Sequence, residues 1–295
     1  MAFESHEITL SDGRRLQVAE CGDRAGATVV FHHGTPGSAA LARLWDQSAV
    51  RHHLRIISSS RAGYATSSRL ADRSVLDVVS DTREVLDHFR ASSYVAVGWS
   101  GGGPHALACA ARDSERCVGV LSLAGAAPRS DEFDWTAGMG PENIEEFALA
   151  LEGGPRYEEH IRSFSEAGRT ATESNIVEFF GGLLSEPDKK VLQDSTLRGV
   201  LADATAQSGS VGHFGFLDDD QALLKSWGFD LTEVRGPCEI WFGDYDLMVP
   251  PTHGAFLVSS IPNAVAQHVP FEGHCSIVMN NVDEILASAA FMLAR

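Results

Sequence analysis

The chain has 295 residues, enough to bury a sizeable core, and its 44% apolar and 21% charged residues exclude a disordered chain. A net charge of −17 repels nucleic-acid phosphates and anionic membranes, so neither is expected as a partner; it speaks for solubility and says nothing of the substrate. Five scattered cysteines (Cys21, Cys109, Cys117, Cys238, Cys275) without a C-x-x-C pair argue against a disulfide framework or a zinc site and suit a reducing cytoplasm.

The N-terminus, MAFESHEITL, lacks the basic and apolar regions of a secretory signal, and no run of about 18 apolar residues suggests a membrane span. Glu7–Leu10 and Leu16–Glu20 read as a hairpin turned at Ser11-Asp12-Gly13-Arg14. Thr28–His33, followed by Gly34, is β-branched and apolar, as a buried strand is, and Leu54–Ser58 reads likewise. Val75–Arg90 has the spacing of an amphipathic helix. Tyr94–Gly98 is a strand, Pro104–Arg112 an Ala-rich helix, and Val118–Leu123 a further strand. Strand–helix–strand alternation of this kind implies right-handed crossovers and a mostly parallel sheet.

The pattern changes near Gly125. Residues 126–232 hold few strand-like runs and several helical ones: Glu142–Leu151, Tyr157–Ala167, Ile176–Leu184 and Lys189–Thr205. Sheet character returns at Cys238–Gly243 and Ala266–Val269, and an amphipathic helix at Val282–Leu293 closes the chain. The expected organisation is one α/β core, 1–125 with 233–295, interrupted by a helical cap at 126–232.

Gly98-Trp99-Ser100-Gly101-Gly102 fits G-x-S-x-G, in which a strand turns sharply into a helix and leaves a serine exposed at the tip. The pentapeptide alone is a weak signal. Here it follows a strand and precedes a helix, as its mechanics require. A serine hydroxyl needs a base to become a nucleophile, which directs attention to an acid and a histidine elsewhere.

Together FHHGTPGS, GWSGGGPHAL, WFGDYDLMVP and FEGHCS make the chain resemble the α/β-hydrolase family over essentially its whole length. The resemblance implies an eight-stranded, mostly parallel sheet flanked by helices, with an inserted helical cap. It also implies the order serine, acid, histidine, hence Ser100 as nucleophile, Asp246 as orienting acid and His274 as general base. Asp244 is the competing acid. Gly34-Thr35-Pro36-Gly37 is similar to the family's oxyanion loop, and the match makes the backbone N–H groups of Thr35 and Gly101 the donors. Pro36 has no N–H to give. Ser60-Arg61-Ala62-Gly63-Tyr64-Ala65 departs from the family's D-R-x-G-x-G at Ser60 and Ala65. His33 reads as a loop residue and His105 as packing.

Serine at the elbow favours ester, thioester or amide cleavage over the dehalogenase and epoxide hydrolase chemistry of relatives that carry Asp there. A cofactor-independent carboxylesterase acting on a small-molecule ester is the leading expectation. Trp99, Phe133, Trp135 and Phe214 are expected to line its pocket. The alternative is an aminopeptidase of the proline iminopeptidase type, in which cap acids hold the substrate's amine; Glu142, Glu145, Glu146, Glu158 and Glu159 are the candidates. A third reading is a non-hydrolytic lyase, transferase or receptor on the same fold. No metal or nucleotide site is expected, and a homodimer stays open.

Overall fold

The structure is a computed structural model that describes residues 3–295. Eight strands form one sheet: β1 (Glu4–Thr9), β2 (Arg15–Gly22), β3 (Ala27–His32), β4 (Leu54–Ser59), β5 (Tyr94–Trp99), β6 (Cys117–Leu123), β7 (Cys238–Gly243) and β8 (Ala264–Val269). Their spatial order is β1-β2-β4-β3-β5-β6-β7-β8. The β1–β2 hairpin and the β2–β4 pairing are antiparallel, and all pairings from β4 to β8 are parallel. The helices are α1 (Asp46–Arg51), α2 (Val78–His88), α3 (Gly102–Arg112), α4 (Pro141–Glu152), α5 (Gly154–Gly168), α6 (Ile176–Phe180), α7 (Glu186–Val191), α8 (Ser195–Ser208), α9 (Phe214–Leu224), α10 (Pro251–Ser260), α11 (Ser276–Met279) and α12 (Val282–Leu293). This is the α/β-hydrolase fold, with a sheet flanked by helices.

Alternation along the central strand builds two apolar layers. Val95, Val97 and Trp99 of β5 point to one face and pack with Ala49 of α1 and Ile285, Leu286, Ala289 and Met292 of α12. Tyr94 and Ala96 point to the other and pack with Val79 and Leu86 of α2, the alanines of α3, and Leu257 and Ile261 of α10. Burial on both faces is why β5 reads as an unbroken apolar run. No helix among the described residues is long and apolar enough to cross a membrane.

Six helices, α4–α9, lie between β6 and β7. The single helix expected at Lys189–Thr205 is two. The Asp194 carboxylate accepts from the N–H groups of Thr196 (2.7 Å) and Leu197 (3.1 Å), which starts a new helix there and ends α7 at Val191. Phe214–Leu224, which carries three consecutive aspartates, is a helix the sequence reading did not place.

Candidate active site

Four loops at the carboxyl ends of β3, β5, β7 and β8 carry the candidate residues, as expected for ligand sites in open α/β sheets. After β5 the chain turns through Ser100 at φ +58°, a left-handed conformation unusual for a residue with a side chain. The turn is held by Ser100 N–H donating to Leu123 O (2.9 Å) and Gly103 N–H donating to Ser100 O (2.9 Å). Glycine is required beside it: a Cβ on Gly98 would strike the Gly102 backbone, and one on Gly102 would strike the carbonyl of His32. Ser100 then sits at the start of α3, where unpaired backbone N–H groups collect.

His274 and Asp246 meet although 28 residues separate them. Nδ1 of His274 donates to Asp246 Oδ2 at 2.8 Å, with Oδ1 at 3.1 Å. The pairing puts the proton on Nδ1 and leaves Nε2 as the basic nitrogen. Asp246 is fixed in turn, since its Oδ1 accepts from the N–H groups of Met248 and Val249, both at 2.8 Å. The competing acid, Asp244, is exposed and takes a bond from His268 Nε2 (2.6 Å) at the surface. Burial pushes the His274 pKa down, but the charge and hydrogen bond of Asp246, joined by Asp188, outweigh it and leave it above the usual histidine value of 6.5.

His274 and Ser100 line one small cavity of about 70 Å³ together with Gly34, Thr35 and Trp99. The Trp99 ring stacks on the imidazole (centroids 5.7 Å apart), and its Nε1 donates to His274 O (3.1 Å). Across from it opens a larger cavity of about 260 Å³, with Ser100, Gly101 and Thr35 at one end. Thr35 packs directly over Gly101, so the two candidate oxyanion donors are neighbours.

Trp135, Phe147, Phe164, Phe179 and Phe216 form the apolar walls of the larger cavity. Two of the expected pocket residues lie elsewhere. Phe133 packs on His253 and Phe256 beneath the start of the inserted segment, and Phe214 is 37% exposed under the Arg69 guanidinium on the outer surface. Each stands two residues from an inward-facing partner, Trp135 and Phe216, and the local backbone turns it away.

Of the five glutamates weighed from the sequence, Glu142, Glu145 and Glu146 line the larger cavity, while Glu158 and Glu159 pair with Arg162 on an outer groove. Asp220 also lines the cavity; it was not anticipated, although three consecutive aspartates in a largely apolar helix were a signal. Its Oδ2 accepts from Tyr157 (3.0 Å), and its Oδ1 is buried with no partner. Burial pushes Glu146 up to about 8. Burial, with the charge of Glu146 added, also holds Asp220 well above the carboxylate range.

A second unanticipated aspartate is Asp188 of α7, fully buried against the histidine loop. Its Oδ1 accepts from the N–H groups of Cys275 (2.7 Å) and Ser276 (2.9 Å), and its Oδ2 from His274 N–H (3.2 Å) and Ser185 Oγ (2.7 Å). His33 and His105 are buried and held by backbone bonds, to Gly34 O and Gly101 O respectively. Glu4, His6 and Glu20 gather on the β1–β2 hairpin, but Arg24 and Arg55 already neutralise the two acids.

A mostly parallel sheet with a strained serine elbow, a carboxylate-held histidine and a serine-lined cavity defines a protein of hydrolase architecture. A family profile described as alpha/beta hydrolase fold matches residues 27–280, and the chain belongs to that family. It is 24% identical to a proline iminopeptidase of Xanthomonas citri over 96% of this chain and 95% of that one. It is 25% identical to a non-heme haloperoxidase of Rhodococcus erythropolis (95% and 97% covered). It is 26% identical to a pimeloyl-[acyl-carrier protein] methyl ester esterase of Chromobacterium violaceum (90% and 93% covered).

Proposed function

We propose that this chain is a serine acyl hydrolase whose substrate carries a protonated amine on its acyl side, as in aminopeptidase action. Ser100 Oγ attacks the carbonyl while His274 Nε2 takes its proton, and Asp246 stabilises the imidazolium. The N–H groups of Thr35 and Gly101 receive the oxyanion, which they stabilise by a few kcal/mol each (~3). The histidine then protonates the leaving group, and water releases the acyl-enzyme. The helices α4–α9 act as a cap over the acyl pocket.

The observation that carries the amine assignment is the pair Glu146 and Asp220 in the wall of the cavity that ends at Ser100. Asp220 is buried and Glu146 half-buried, and with a hydrogen bond to Asp220 from Tyr157 they are costly as anions and so retain protons when the cavity is empty. An ammonium seated between them replaces one of those protons and pairs with the carboxylate so formed, while the other carboxyl stays protonated. The apolar walls support a second reading, a small uncharged carboxylic ester.

Labelling by a fluorophosphonate, abolished in Ser100→Ala, is expected of the activated serine. Proline β-naphthylamide should be hydrolysed and its N-acetylated form rejected. Glu146→Gln should raise KM for the free-amine substrate while leaving p-nitrophenyl acetate turnover within about twofold. Equal cleavage of the blocked and free amides would remove the amine assignment and leave the ester reading.

A further inference from the structure

Beneath the candidate oxyanion loop lies a buried ionic cluster that neither the elbow nor the histidine uses. Arg61 is 4% exposed and Asp219, from α9, is 0% exposed. The Arg61 guanidinium spends its donors on two sets of partners. Nε and Nη2 hold Asp219, with Nε at 3.1 Å from Oδ2. Nη1 donates to His33 O (2.5 Å), and Nη2 to Gly34 O (3.0 Å) and Thr35 Oγ1 (3.2 Å). Thr35 Oγ1 in turn donates to Asp219 Oδ2 at 2.8 Å, and Tyr64 OH donates to the same oxygen at 2.9 Å.

Gly34 O belongs to the peptide unit whose N–H is that of Thr35. A charged donor on the carbonyl end of an amide withdraws electron density from its nitrogen and makes its N–H a stronger donor. Arg73 joins Asp219 on its other oxygen, so Arg61, Arg73 and Asp219 together leave one uncompensated positive charge behind the loop. From these contacts we infer that Arg61 is the positioning residue of the oxyanion hole: it fixes the loop and, through the Gly34–Thr35 peptide, strengthens the N–H that receives the developing charge. Asp219 holds Arg61 in place from the inserted helices. The inference rests on the serine hydrolase reading but is independent of the amine assignment.

Arg73 supplies the control. It shares Asp219 and equal burial, yet its carbonyl partners are Ala62 O (3.3 Å) and Gly215 O (3.1 Å), away from the oxyanion peptide. The experiment measures the rate of fluorophosphonate labelling in the full chain, resolved into kinact and KI, with thermal denaturation alongside. Arg61→Lys keeps the charge but cannot span both carbonyls. It should lower kinact about tenfold or more with KI nearly unchanged, because the oxyanion forms only in the transition state. Arg73→Lys should lower the melting temperature comparably and keep kinact within about twofold. Absence of labelling in the wild type overturns the hydrolase reading and this inference together. Labelling with kinact retained in Arg61→Lys, or lost equally in both variants, overturns this inference alone. If Arg61→Lys does not fold, the wild type decides by NMR. A scalar coupling across the hydrogen bond from Arg61 Nη2 to the Gly34 carbonyl carbon should be present, a signal that the His33 Nδ1 bond to the same oxygen (2.7 Å) cannot give, and its absence overturns the inference.

Discussion

At the scale of single residues, the proposed chemistry turns on the charge state of His274. Only the neutral imidazole can take the Ser100 proton, so activity should rise with pH along the histidine's titration. Burial alone would place that titration below 6.5, but the Asp246 carboxylate, bonded at 2.8 Å, and nearby Asp188 place it above. The pH–rate profile for p-nitrophenyl acetate should therefore have its acidic midpoint above 6.5. In Asp246→Asn the larger opposing charge is gone and only Asp188 still works against burial, so the midpoint should move down. The plateau should fall by roughly 10⁴, because an asparagine amide can donate to Nδ1 and leave the imidazole proton on Nε2, the nitrogen that must act as base. A wild-type midpoint below 6.5 would mean that Asp246 does not govern this histidine.

At the scale of elements, the inserted helices reach the candidate site through buried carboxylates, and these contacts are tertiary. Asp188 lies 86 residues from His274 and caps the short α11 from outside, a relation no local pattern encodes. The sheet was more legible, because a strand buried on both faces writes its burial into consecutive residues, as Tyr94–Trp99 does. Ser100 could be nominated because it follows such a strand, Asp246 because it follows the largely buried β7, and His274, after the half-exposed edge strand β8, only by the resemblance's fixed order. The break at Asp194 was missed because the apolar spacing runs on from Val191-Leu192 into α8, although Gln193-Asp194-Ser195-Thr196 was a cap signal. The two aspartates should separate by experiment. Asp188→Asn offers one acceptor oxygen to donors that now share two, so a loss of about 1–3 kcal/mol in stability should come with a fall in kcat. Asp194→Ala should cost about 1 kcal/mol and leave kcat unchanged, because it caps α8 at an exposed site. Urea denaturation and initial rates on the same samples check both, and an active, fully stable Asp188→Asn would make that carboxylate dispensable.

At the scale of the whole molecule, the buried acids make stability depend on pH with a sign opposite to that of a salt-bridged carboxylate. Glu146 has its folded pKa raised from 4.5 to about 8 by burial, and Asp220 beside it is raised as well. Between those two values the unfolded chain releases protons that the folded chain keeps. The stabilising contribution is thus complete below about 4.5 and is lost as pH rises towards 8. Over that window the loss is on the order of a few kcal/mol, and mutual repulsion within a chain of net charge −17 works in the same direction. Asp219 offsets none of it there: burial raises its pKa, but Arg61 and Arg73 more than reverse this and keep it well below 3.8, so its contribution fades only in acid. Buried His32, His33, His105 and His253 act the other way below about pH 6.5, because burial keeps them neutral while the unfolded chain takes up protons. The carboxyls are therefore read between pH 7 and pH 8, where the melting temperature should fall. Glu146→Gln should flatten that fall and be more stable than the wild type at pH 8, because a neutral amide occupies the site at no ionisation cost. A Glu146→Gln variant whose melting temperature runs parallel to the wild type's between pH 7 and pH 8 would show that Glu146 is already ionised in the folded chain. A cationic amine that fills the cavity should produce the complementary effect, raising the melting temperature more at pH 8 than at pH 5 as it takes the place of the bound proton.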